Sequence, residues 1–256
     1  MIAIPETDLV VHPLCLGTNV FGWSADETES HQVLDAYASH GGNFLDTADV
    51  YSQWKPGNVG GESETIIGNW LTKRDRSKIV VATKVSMLNT RPGLSAKNVL
   101  AACDDSLRRL QTDYIDIYYS HRDIAETPME ETLGAYAELI AAGKVRYIAA
   151  SQHTGARLQQ ALDISAANGL PAYIGLQDQY NLIYRQPFES EQQPVLATNH
   201  LSAMPFYGLA RGFLSGKYRP GVKVESVRAE GVAEFYNDKN WAVLDKVREI
   251  AQDRNV

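Results

Sequence analysis

Short apolar runs alternating with longer amphipathic segments constrain this chain more than any other feature. The runs lie at residues 14–17, 43–47, 79–84, 114–121, 145–151, 174–180 and 201–206. They are β-branched or aromatic and almost continuously hydrophobic, as strands covered on both faces should be. Between them, helical periodicity is clearest over 127–142, where Met129, Leu133, Tyr136 and Ile140 fall on one face. Thr127 and Glu130 have capping-box spacing, Pro128 suits the first helical position, and Gly143 suits the stop. Further helices are expected over 27–40, 95–110, 154–168 and 241–253. Strand and helix in strict alternation imply parallel strands joined by right-handed crossovers.

Two architectures satisfy that alternation: an open doubly wound sheet and a closed β/α barrel. A doubly wound dinucleotide domain carries G-x-G-x-x-G after its first strand. Here the first strand runs into Gly17-Thr18-Asn19-Val20-Phe21-Gly22, which does not match. Gly212-Phe213-Leu214-Ser215-Gly216-Lys217 lacks the spacing of a phosphate-binding P-loop. The barrel is therefore favoured, and 256 residues suit one such domain.

Composition narrows the function. A net charge of −7, with acids and bases interleaved, disfavours a nucleic-acid partner. No apolar run reaches the ~20 residues that a membrane-spanning helix needs, and the first residues lack the pattern of a signal peptide. Cys15 and Cys103 sit in apolar elements and read as buried free thiols, so a soluble cytoplasmic protein is expected.

Chemistry in a β/α barrel collects where strands end. The second run ends in Asp46 and leads to Tyr51; the third ends at Lys84, the fourth at His121 and the fifth at Ser151-Gln152. The sixth run carries Gln177, and the seventh leads into Phe206-Tyr207-Gly208-Leu209. An aspartate or lysine alone at such a place is ordinary, but this many polar strand ends on one side mark a site. A barrel interior excludes unpaired charge, so Asp46 and Lys84 are expected to pair. An ion pair flanked by a tyrosine and a histidine points to proton transfer.

Asp46-Thr47-Ala48-Asp49-Val50-Tyr51, followed by Gly61-Glu62-Ser63-Glu64 and Ile67-Gly68, resembles the aldo-keto reductase signature Asp-Thr-Ala-x-x-Tyr…Gly-x-Ser-Glu. Val81-Ala82-Thr83-Lys84, the stretch 106–116, His121, the stretch 143–148 and the stretch 209–218 extend the likeness to the end of the chain. The resemblance implies one (β/α)8 TIM-barrel domain over residues 1–256. It implies NADP(H)-dependent reduction of a small-molecule carbonyl substrate, without a metal. It gives Asp46, Tyr51, Lys84 and His121 as the catalytic group, with Tyr51 as general acid, Lys84 lowering its pKa, Asp46 orienting Lys84, and His121 holding the substrate oxygen. Ser151, Gln152 and Gln177 would bind the nicotinamide carboxamide, and Phe206 would stack on the ring. Thr18, Asn19 and Asp46 would line the ribose. Tyr207, Gly208, Leu209, Ala210, Arg211 and Lys217 would wrap the pyrophosphate.

Gln152 stands where asparagine is commoner in the family. Phe21, Trp23, Trp54 and the 52–60 stretch are candidates for the substrate pocket. The sequence stops at Val256, after the seventh helix, so an eighth βα unit of about 50 to 80 residues is expected beyond it. The irregular stretch 219–240 is a candidate lid. The resemblance also carries a non-catalytic alternative, a cofactor-bearing partner like the β subunits of potassium channels. In those, asparagine is common at the position of His121.

Overall fold

In a computed structural model, residues 1–226 and 229–255 are described. The chain builds one seven-stranded parallel sheet in the order β3 (Leu16–Gly17), β4 (Phe44–Asp46), β5 (Val80–Val85), β6 (Ile115–Ser120), β7 (Val145–Ser151), β8 (Tyr173–Gln177) and β9 (Ser202–Ala203). Every neighbouring pair is parallel and follows chain order. This is the strand order of a β/α barrel, not the reversed order of a doubly wound sheet. The seven strands form a curled half-barrel with β3 and β9 at its two edges.

Helices α1 (Glu27–Ser39), α2 (Glu62–Leu71), α3 (Ala96–Leu110), α4 (Met129–Ala141), α5 (Gly155–Asn168) and α6 (Gln193–Thr198) pack outside the sheet. Their starts follow local chemistry. Asp26 and Glu29 form a reciprocal capping box at α1, and the side chains of Ser95 and Thr154 cap the first turns of α3 and α5. The expected capping box at α4 does not form. Pro128 takes the cap position without a side-chain bond, and the Thr127 N–H turns back to the Ile124 carbonyl. Gly68 on α2 has a packing reason: a Cβ there would lie 2.1 Å from the Arg109 carbonyl oxygen, so only glycine lets α2 approach α3 this closely.

The core divides as alternation dictates. Phe44, Val80, Ala82, Ile117, Tyr119, Ala149 and Ile174 point inward. Leu45, Val81, Val85, Tyr118 and Ile148 point outward to the helices. Beneath the inner cluster, an N-terminal hairpin of β1 (Ile2–Ala3) and β2 (Val10–Val11) contributes Ile4, Leu9 and Val11 to the same packing. A third cluster joins Phe213, Tyr218, Val232, Phe235 and Leu244 of the final helix, α8 (Asp238–Arg254), with α7 (Ala229–Val232) lying just before it. The candidate lid at 219–240 thus carries helical turns of its own, and its Val227 and Arg228 lie outside the described residues. Of the cysteines, Cys103 is buried and Cys15 only half-buried.

Candidate active site

Register explains how four distant residues meet. Asp46, the last residue of β4, lies opposite Ala82 on β5, and Lys84 is two residues further on the same inward face. Its side chain therefore rises along the inner wall to Asp46. The ammonium of Lys84, fully buried, donates to Asp46 Oδ2 at 2.6 Å, to the Thr47 carbonyl at 2.8 Å and to the Tyr51 hydroxyl at 2.9 Å. All three of its protons are thus engaged. The other carboxylate oxygen of Asp46 accepts from Gln177 Nε2 at 2.9 Å, and the Tyr51 hydroxyl lies 3.4 Å from Oδ2. Pairing between Asp46 and Lys84 is as the sequence predicted.

His121 follows β6 directly, and its N–H continues the ladder to the Val85 carbonyl. Its buried ring stands edge-on to Tyr51, with centroids 6.0 Å apart, and its Nδ1 has no hydrogen-bond partner among the described residues. Trp54 packs on Tyr51 and Trp23 packs on Trp54, so both tryptophans wall the same mouth. Phe21 does not join them: it is buried in the outer core, where its carbonyl accepts from Ser52 Oγ.

Electrostatics differ from the expectation on one point. Burial raises the Tyr51 hydroxyl well above the usual phenol value; Lys84 pulls it down, but only in part, and Asp46 adds to the rise. The lysine lowers the tyrosine as expected, yet the net direction is up. Burial acts to lower Lys84, but Asp46 and then Tyr51 outweigh it and hold the ammonium above the ordinary lysine value. Burial, then Lys84 and Arg122, push His121 well below the usual imidazole value, so it is neutral at pH 7. The site thus presents a neutral phenol, a charged lysine and a neutral imidazole.

The remaining candidates surround this group. Thr18 is buried, its hydroxyl donating to the Asp46 carbonyl and accepting from Ser63, with half-buried Asn19 beside it. Ser151, the last residue of β7, is buried with its hydroxyl free of protein partners among the described residues. Gln152 takes a left-handed conformation and gives its side-chain N–H to the His121 carbonyl at 3.0 Å. Both expected amides, Gln152 and Gln177, therefore brace the catalytic candidates with their donors.

Phe206 is half-buried beside the end of β8, bridged to Gln179 and stacked edge-on against Tyr207. The loop that follows turns through left-handed residues Tyr207, Ala210 and Arg211, leaving Gly208 and Leu209 exposed and Ala210 buried. Arg211 lies over the Tyr207 ring and pairs with Glu234 at 2.8 Å, so its charge is offset within the chain. Lys217 is exposed, with its ammonium over the Tyr218 ring. A buried hydroxyl without a protein partner, an aromatic face and neighbouring amides fit a ring that bears a carboxamide. The residues present suit a nicotinamide cofactor.

A parallel β/α sheet thus carries an Asp–Lys–Tyr–His group at its carboxyl end, where the aldo-keto reductase resemblance expects it. The chain belongs to the aldo/keto reductase family, whose model matches residues 13–256. It is similar to Protein tas of Escherichia coli (strain K12), 34% identical over 88% of this chain and 72% of the relative. Versiconal hemiacetal acetate reductase of Aspergillus parasiticus is 32% identical over 92% of this chain and 74% of its own. A probable voltage-gated potassium channel subunit beta of Arabidopsis thaliana is 31% identical over 94% of this chain and 73% of its own. No described helix is long and apolar enough to cross a membrane.

Two elements near the site were not read from the sequence. Helix α2 lies outside the helices expected from periodicity, although Ile66, Ile67, Trp70 and Leu71 have helical spacing after Gly61. The Thr47 carbonyl that receives Lys84 carries no sequence signal, because any residue would supply it.

Proposed function

We propose that this chain reduces an aldehyde or ketone to an alcohol by hydride transfer from NADPH, with Tyr51 as general acid. The observation that carries this reading is the buried Lys84 ammonium shared by Asp46 and Tyr51. NADPH, when bound, supplies the hydride that no side chain can. Tyr51 gives its phenolic proton to the carbonyl oxygen, and Lys84 stabilises the phenolate that is left. Asp46 keeps Lys84 charged and aimed. The neutral His121 donates a hydrogen bond to the substrate oxygen and fixes its position.

Ser151, with the carbonyl ends of Gln152 and Gln177, would hold the carboxamide, and Phe206 would lie against the ring. Thr18, Asn19 and Asp46 would line the ribose. The loop at 207–211, with Lys217, would wrap the pyrophosphate, Arg211 joining once it leaves Glu234. Two free cysteines suit a reducing compartment such as the cytoplasm.

The test is NADPH oxidation against a panel of aldehydes, ketones and sugar carbonyls, with NADH run in parallel. Carbonyl-dependent oxidation supports the reading; tight NADPH binding without turnover on any member overturns it. The latter result would favour a cofactor-bearing regulatory subunit, the reading to which the Arabidopsis relative lends weight. Histidine at position 121, able to donate to a substrate oxygen, favours the enzyme.

A further inference from the structure

Behind the four-residue group lies a second set of buried ionisable side chains. Asp49 is 1% exposed, and its carboxylate has no side-chain hydrogen-bond partner among the described residues, the backbone N–H of Val50 being the donor that lies beside it. The charged groups that face it are Glu64 on α2, Arg109 on α3 and Arg91 in the preceding loop. Both guanidiniums are engaged elsewhere: Arg109 holds Glu64 at 2.6 Å, and Arg91 holds Asp105. Glu64, fully buried, adds like charge, and the neutral hydroxyls of Tyr118 and Tyr136 close the region from β6 and α4.

The backbone of Asp49 is tied to the site. The turn leaving β4 continues its ladder on β5, Thr47 N–H to the Ala82 carbonyl at 2.9 Å and Asp49 N–H to the Lys84 carbonyl at 3.2 Å. Lys84 is therefore gripped at both ends by one turn, at its carbonyl by Asp49 and at its ammonium by the Thr47 carbonyl and Tyr51. Gly60 packs over the same turn: a Cβ there would come within 2.9 Å of the Asp49 carbonyl oxygen.

We propose that Asp49 is a positioning residue for Tyr51, seating the 46–52 turn against β5 as the neutral acid and displacing that turn from Lys84 when it becomes an anion. A buried carboxylate without a cationic or side-chain partner of its own, beside a second carboxylate, is driven toward water. The protonated acid carries no such force. Burial, then Glu64, push the Asp49 carboxyl up to about 7, with Arg109 opposing, so the change falls within the working range of pH. The proposal rests on the role given to Tyr51 above.

Trp54 packs on the Tyr51 ring at 6.1 Å, so its fluorescence reports the position of Tyr51 without any turnover. The signal is isolated by difference from Trp54→Phe. Emission, kcat and the KM values for NADPH and an aldehyde would be followed between about pH 5 and pH 9. In the wild type, the Trp54 signal titrates near neutrality, and kcat falls about ten-fold through the same midpoint with the NADPH KM unchanged. In Asp49→Asn, both transitions vanish and kcat stays at the low-pH value. A His121 transition, pushed to lower pH by burial, is told apart because it persists in Asp49→Asn.

A flat Trp54 signal in the wild type, or the same titration in Asp49→Asn, overturns the proposal. Should Asp49→Asn fail to fold, the wild-type difference signal decides alone. The two readings fail separately: a Trp54 transition removed by Asp49→Asn, without carbonyl turnover, sinks the proposed reaction and keeps the positioning role.

Discussion

Replacing Lys84 by methionine isolates the ion pair on which the account turns. Methionine keeps most of the side-chain volume and removes three hydrogen bonds, to Asp46, Thr47 and Tyr51. Asp46 is then a buried carboxylate held by Gln177 and a long contact to Tyr51. Leaving one member of a buried pair uncompensated costs about 3–5 kcal/mol. For a chain of this size, each kcal/mol moves Tm by about 2–4 °C, so the variant should melt roughly 6–20 °C lower. Adding Asp46→Asn removes the orphaned charge while keeping an oxygen for Gln177, so the double variant should be more stable than Lys84→Met alone. Reduction should cease, and because Lys84 is what pulls Tyr51 down, the alkaline limb of any residual rate should move up. Thermal melts of the three proteins and a pH–rate profile read both effects. An unshifted Tm, a double variant no better than the single, or an unmoved limb would refute the reasoning.

Two further outcomes follow from the same charges. His121 is held below its unfolded value, so its native neutral form loses stability as pH falls below about 6.5, where the unfolded chain takes up a proton. His121→Asn should flatten that acid loss in melts from neutral to acid pH and cut turnover about 10²-fold, the scale of a lost oxyanion donor, with NADPH still bound. Lys84 and Tyr51 are both raised. Stability from Lys84 is full below about pH 10 and is lost as pH climbs through its native value, and the unfolded tyrosine ionises before the native one does. Melts should therefore show stability falling above about pH 10, and less steeply in Lys84→Met.

The sequence carried the sheet well because strands covered on both faces must be apolar throughout, and that signal survives without any partner information. Its limits lay at the strand ends. Runs drawn to Tyr180 and Phe206 overshoot β8 and β9, because Gln179 and Phe206 meet in a single bridge and not in a ladder. Thr127 misled because proline at position 128 takes the cap itself. The N-terminal hairpin has two short apolar pieces whose burial depends on the barrel floor, so nothing local marks them as strands. Asp46 with Lys84 was legible, since opposite charges at neighbouring strand ends have few other solutions. The pairing of Arg211 with Glu234, the bracing of His121 by Gln152, and the net upward direction of Tyr51 all depend on side-chain placement and burial that no spacing encodes.

The claim that Tyr51 delivers the proton is tested most directly by Tyr51→Phe, measured for turnover and for NADPH affinity in the same preparation. Phenylalanine keeps the ring against His121 and Trp54 and removes only the hydroxyl that Lys84 contacts. The account predicts a fall in kcat of at least ~10²-fold with the cofactor Kd close to wild type. A variant that binds NADPH normally and turns over at near the wild-type rate would contradict it.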